Sequence, residues 1–200
     1  MDFLVSVPEI WRYVAVTSMI FAESGFLLGF VFPGDSLLLV SGILASQGYV
    51  NIWLLLPIVF LAAVLGDNLG YYTGEKFGDQ LMKREKWLFL KRQHLEKAKD
   101  FFDQKGHIAI TLCRFVPAVR TFVPTVAGAS RMDRKVFFKF NLLGGFLWAI
   151  CITLIGYFFG KIIPAEIIDK YLTLIVVGIV LLSLIPIFIE KFKSNSHKSD

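Results

Sequence analysis

Long apolar runs separated by short polar or basic ones set the organisation of this chain. Ile52–Tyr72 is an almost uninterrupted apolar run, and a helix rising 1.5 Å per residue over that length crosses a hydrocarbon core about 30 Å thick. Phe140–Phe159 and Tyr171–Ile189 read the same way. Spanning helices are therefore expected over about residues 52–73, 137–160 and 168–190. Two other apolar stretches are broken at their centres. Phe21–Ser46, FAESGFLLGFVFPGDSLLLVSGILAS, contains Glu23, Pro33, Gly34 and Asp35. Proline fixes φ and removes a donor while glycine relaxes the backbone, so Pro-Gly-Asp does not belong in the middle of a straight helix. His107–Arg131 is interrupted in the same manner by Arg114, Pro117, Arg120 and Pro124. Each stretch predicts a re-entrant helical hairpin, over about residues 14–46 and 107–131, with the breaks at Pro33, Gly34, Pro117 and Pro124. Such breaks survive at membrane depth only where protein or water satisfies the freed backbone groups.

The polar segments orient this pattern. Residues 79–105 are rich in Lys and Arg, with Leu88, Leu90, Leu95, Phe101 and Phe102 at roughly helical spacing. That pattern predicts an amphipathic helix on the inner leaflet. The positive-inside rule places this stretch, Asp133–Lys139 and the 191–200 tail in the cytoplasm. Ile163–Asp169 is then an external turn, the first hairpin opens outward and the second inward, which is the inverted-repeat plan of many transporters. Pro33…Val40-Ser-Gly42 and Pro117…Val126-Ala-Gly128 are a faint internal echo of that plan. Gly66, Gly70 and Gly74 line one helical face with small residues that permit close packing. Residues before the first hairpin are expected at the interface, with Trp11 as an anchor. The fold class is an all-α integral membrane protein: one domain over residues 1–200, two inverted re-entrant hairpins, about three spanning helices and a cytoplasmic amphipathic helix.

Composition agrees. The chain of 200 residues is 56% hydrophobic, with a mean hydropathy of +0.64, as befits a membrane protein. The net charge of +5 would suit nucleic acid, but the basic residues flank apolar spans, where they meet anionic headgroups instead. Asp2 and Glu9 stand where a signal peptide needs basic residues, so none is expected. Cys113 and Cys151 lie in apolar segments and read as buried thiols without a disulfide.

Four ionisable residues in apolar hairpins carry the candidate chemistry: Glu23, Asp35, Arg114 and Arg120. They could merely pair across the hairpin interface. Buried ion pairs stabilise little, however, because desolvation offsets most of the attraction. Guanidinium groups match phosphate oxygens in a bidentate, planar way and remain charged when buried. Desolvated carboxylates are usable proton carriers. Asp67, beside Asn68, is a secondary candidate, either an interfacial polar cluster or part of a polar pathway. His94, His107 and His197 show no metal-ligand spacing, so no metal, cofactor or enzyme activity is expected.

The motifs Phe21-Ala-Glu23, Phe32-Pro-Gly-Asp-Ser-Leu-Leu38, Gly66-Asp67, Arg114-Phe-Val-Pro-Ala-Val-Arg-Thr-Phe-Val-Pro124, Ala127-Gly128 and Trp148…Gly156-Tyr157 resemble the bacterial DedA membrane proteins. These share a superfamily with the eukaryotic VTT-domain lipid scramblases. The resemblance spans about Ile20–Gly160. It implies the two-hairpin fold, a multi-pass location in the bacterial inner membrane with a cytoplasmic C-terminus, and lipid translocation. A proton-coupled flippase recycling undecaprenyl phosphate is the first expectation. A phosphatidylethanolamine translocase or scramblase, or an ion or drug transporter linked to the proton-motive force, is the alternative. Glu23 and Asp35 would couple protons, and Arg114 and Arg120 would bind phosphate. Expected partners are a lipid phosphate, membrane lipids and protons, without nucleic acid; homo-oligomerisation is left open. Cys113 and Ala118 stand where the family frequently has glycine.

Overall fold

A computed structural model describes residues 8–25, 34–83 and 108–163, and every regular element among them is helical. Pro33, the basic stretch beyond residue 83, the expected span at 168–190 and the 191–200 tail lie outside the described residues.

Helix α1 (Glu9–Gly25) begins directly after Pro8 and ends at Ser24-Gly25. It starts earlier than the expected hairpin boundary, so residues 9–12 are its first turn. Two polar ties hold them there: Arg12 Nη1 donates to the Tyr49 carbonyl at 2.6 Å, and the Asn51 amide donates to the Tyr13 hydroxyl at 2.6 Å. Helix α2 (Gly34–Ser46) comes next, and the chain then turns through Gly48, whose φ of +82° suits glycine. Helix α3 (Ile52–Lys83) runs past the expected end near residue 73. Gly74 and Gly78, which would weaken a free helix, lie instead against a neighbouring one and keep it continuous.

The second broken stretch is a chain of short turns: α4 (Ile108–Leu112), a 3-10 turn (Cys113–Phe115), α5 (Pro117–Arg120) and α6 (Val123–Ala129). Extended Val116 admits Pro117 as the first residue of α5, and Pro124 falls in the first turn of α6. Both prolines stand where the missing N–H is no loss. Helix α7 (Arg134–Gly145) opens on Asp133, whose carboxylate accepts from the Lys135 and Val136 amides at 2.8 and 3.0 Å. A π-helical segment (Phe146–Ile150) joins it to α8 (Cys151–Ile162). Among the described residues, Ile52–Gly78 and Arg134–Ile162 are long and apolar enough to span a bilayer. Their outward faces carry Leu54, Leu61, Leu65, Phe146, Ile155, Phe158 and Phe159. A soluble protein would not leave so many large apolar side chains uncovered. Cys113 is buried, but Cys151 lies on this outward face; both thiols are free. The expectation that Cys151 is buried is therefore corrected, since the π segment and α8 turn it away from the bundle.

The packing is an exchange. Helix α1 lies on α3 and α4 lies on α7, whereas α2 crosses to α8 and α6 crosses to α3. Both crossings use one register. A Cβ on Gly42 would meet the Thr153 carbonyl and approach the Tyr157 nitrogen to 2.8 Å. A Cβ on Gly128 would meet the Tyr71 carbonyl and approach the Glu75 nitrogen to 2.8 Å. Facing them, Gly156 meets the Leu39 backbone and Gly74 meets the Thr125 backbone. Small residues let backbones touch, which is how helices associate where no water drives them together. Two apolar clusters result. One joins Ile20, Leu38, Leu55, Val59 and Trp148, the other Tyr71, Ile110, Val126 and Phe137. Along α3, Asp67 falls between them.

Candidate functional site

Arg120 ends α5 and reaches across to the first broken stretch. Its Nη1 donates to Asp35 Oδ1 at 2.6 Å, and its Nη2 to Glu23 Oε1. Asp35 sits in the first turn of α2, where the helix N-terminus favours a negative charge. Glu23 sits in the last turn of α1. Gly34, recognised in the sequence only as a breaker, has a second use: a Cβ there would overlap the Glu23 carboxylate. One guanidinium thus carries both acids. The Glu23 side chain is 1% exposed and that of Arg120 10%, while Asp35 is 44% exposed. The pair is buried on the glutamate side and open on the aspartate side.

Arg114, in the 3-10 turn, does not join that pair. Its Nη2 donates to Asp67 Oδ2 and to Asn141 Oδ1. Asn141 in turn donates to the Val64 carbonyl at 3.2 Å, which Asn68 also contacts at 2.7 Å. All three members, Asp67, Arg114 and Asn141, are buried. Gly144 and Gly145 make room, since a Cβ at Gly144 would stand 2.8 Å from Arg114 Cδ.

Trp148 connects the two pairs. Its indole Nε1 donates to Asp35 Oδ1 at 2.7 Å, and its ring lies 4.6 Å from the Arg120 guanidinium and 5.9 Å from that of Arg114. The four hairpin residues read from the sequence therefore divide into a three-membered site, Glu23–Arg120–Asp35, and a second site in which Arg114 takes Asp67 as its counter-ion. Pro117 and Pro124 set the turns that aim Arg114 and Arg120, and Pro124 also packs on Gly70. Sequence reasoning misses Trp148 and Asn141 as site residues. A tryptophan and an asparagine within an apolar run give no periodic signal that separates a site from a packed core. Among the described residues, no three His, Cys, Asp or Glu side chains come together as a metal set.

An arginine bound to two carboxylates is a site for exchange, because an incoming anion offers the same oxygens in the same planar geometry. The Arg114 pair is of another kind: enclosed on all sides, it costs most when half of it is removed. Arg114→Gln and Asp67→Asn are each expected to lower stability by about 3 kcal/mol by stranding a buried charge. The double variant should regain most of that loss. Thermal unfolding in detergent checks this, and a double variant no more stable than the singles would refute the pairing.

The VTT domain profile matches residues 32–158, a span that includes Asp35, Asp67, Arg114, Arg120, Asn141 and Trp148. The chain is 39% identical over 175 residues to a membrane protein of Mycobacterium leprae, covering 88% of this chain and 77% of that one. It is 36% identical over 189 residues to protein DedA of Escherichia coli K12, covering 94% and 85% of the two chains. Against the inner membrane protein YghB of the same strain it is 34% identical over 145 residues, covering 72% and 66%. No solved structure matches it. Long-range similarity of this extent, together with an all-helical fold bearing spanning helices, identifies the chain as a membrane protein that belongs to the DedA family, defined by the VTT domain.

Proposed function

We propose that the protein is a transporter that moves a phosphate-headed lipid across the bacterial inner membrane together with protons, with undecaprenyl phosphate as its cargo. The observation that carries this reading is Arg120, one guanidinium held by two carboxylates and open at one of them. Phosphate oxygens entering from the Asp35 side would replace the carboxylates on Arg120. An acid left buried without its cation would then take up a proton. Return of Arg120 on release would expel that proton. Arg114 serves as the second phosphate ligand through its Nε–H, which is buried without a partner, while its Nη2 stays on Asp67 and Asn141. Such an exchange changes no covalent bond, so the protein acts as a carrier and not as an enzyme.

The membrane arrangement belongs to the same reading. The two broken stretches enter the bilayer as re-entrant hairpins from opposite sides, and their second arms cross to each other's spanning helix at equivalent glycines. The multi-pass chain leaves its C-terminus in the cytoplasm.

Liposomes containing only the purified protein, labelled polyprenyl phosphate and an imposed pH gradient test the proposal. Lipid should cross without chemical change, and the gradient should drive it to one side. A new chemical product would make the protein an enzyme. Movement of phosphatidylethanolamine in preference to polyprenyl phosphate would replace the cargo, and movement of neither would overturn the function.

A further inference from the structure

We propose that Trp148 is a positioning residue that divides the work of the two acids: it keeps Asp35 as a charged anchor, so that Glu23 alone exchanges the proton. This rests on the proton-coupled reading above and refines it. A buried indole N–H needs an acceptor, and that of Trp148 has Asp35 Oδ1 at 2.7 Å. Arg120 Nη1 approaches the same oxygen at 2.6 Å. When Arg120 turns to phosphate, Asp35 therefore keeps a donor. Glu23 keeps none. Its Oε1 is held by Arg120, its Oε2 is buried without a hydrogen-bond partner, and the side chain is 1% exposed. Of the two carboxylates, only Glu23 is stranded by the exchange, and a stranded buried carboxylate takes up a proton.

Local helix geometry sets the indole in place. Trp148 sits inside the π-helical segment, a feature that recurs at functional sites. One extra residue in a turn rotates the remainder of the helix by about 100° around its axis. The ring beneath both guanidiniums holds them by cation–π attraction. Among the described residues, the charged groups around it are Asp35 from α2, Arg120 from α5 with Glu23 of α1 beyond it, and Arg114, whose own counter-ion is Asp67 of α3. Asp67 is paired with Arg114 and does not reach the Asp35 carboxylate as a donor.

The test uses liposomes with labelled polyprenyl phosphate, a gradient of one pH unit, and the membrane potential clamped to zero with potassium and valinomycin. The readout is the lipid ratio between leaflets at steady state. One proton per lipid supports a ratio of about tenfold, and two protons about a hundredfold. The native protein should reach the first value. Trp148→Phe keeps the ring but removes the N–H, so Asp35, whose open side the entering phosphate covers, is then also left without a donor and the ratio should rise towards the second. Asp35→Asn should move lipid more slowly yet still reach about tenfold, whereas Glu23→Gln should leave the leaflets equal. A Trp148→Phe ratio equal to the native one, or an Asp35→Asn variant that no longer responds to the gradient, overturns the proposal. If Trp148→Phe does not assemble, the two acid variants decide alone. A native protein that moves lipid but builds no ratio removes the proton coupling itself, a different outcome from either.

Discussion

Arg120→Ala is expected to reduce lipid movement about a hundredfold or more, and Arg120→Lys to restore little of it. Removing one member of a buried, hydrogen-bonded charge cluster costs about 2–5 kcal/mol, and about 3 kcal/mol is already a hundredfold. Here the loss falls twice. On the proposed mechanism the phosphate loses its ligand, and Glu23 and Asp35 are left facing each other without a cation. Lysine brings the charge back but not the fork that Arg120 uses to reach both carboxylates at once. Arg120→Ala combined with Glu23→Gln separates these two losses. The double variant should assemble normally, since the stranded carboxylate is gone, and still move no lipid. Transport in liposomes, normalised to monodisperse protein, is the measurement. Native rates in Arg120→Ala would exclude Arg120 from the path of the lipid. A double variant that regains transport would reduce Arg120 to a neutraliser of Glu23.

Legibility in the sequence has a physical basis. Breaks written as Pro-Gly-Asp or Pro-x-x-Arg announce themselves, because proline and glycine change backbone options locally. Ionisable residues in apolar runs do so too, since each must find a partner. Glu23, Asp35, Arg114 and Arg120 are legible for that reason. The assignment of partners is not. Arg114 pairs with Asp67 on α3 and Arg120 with both acids, a choice fixed by how the two second arms cross. Trp148 is hidden because its role depends on a π segment, and an extra residue in a helix leaves no mark in an apolar pattern. The ends of α1 and α3 escape the sequence for a related reason. Residues 9–12 and 74–83 are polar enough to read as interface, yet hydrogen bonds to the 49–51 turn and the fit of Gly74 and Gly78 on α6 carry the helices through.

Gly42→Leu and Gly128→Leu are both expected to abolish accumulation of folded protein, and to do so equally. The two glycines stand at equivalent points of the two crossings, each against a carbonyl four residues before the nitrogen that a Cβ would approach to 2.8 Å. These neighbours are backbone atoms of spanning helices, so they cannot turn aside as a side chain can. Even Gly42→Ala or Gly128→Ala must push two helices apart, and overpacking of this kind costs about 1–3 kcal/mol. The cost is compounded because helices in lipid are held by close contact and have no hydrophobic drive to close a gap. Gly156 and Gly74, which face Leu39 and Thr125 across the same contacts, should respond as Gly42 and Gly128 do. Gly48 provides the contrast. It lies in open space with a φ of +82°, so Gly48→Ala should cost only about 1–2 kcal/mol of backbone strain, and Gly48→Asn less. Yield and thermal stability of each variant in detergent, read by size-exclusion chromatography, give the ranking. If Gly42→Leu were lost while Gly128→Leu accumulated normally, the second arms would not be equivalent.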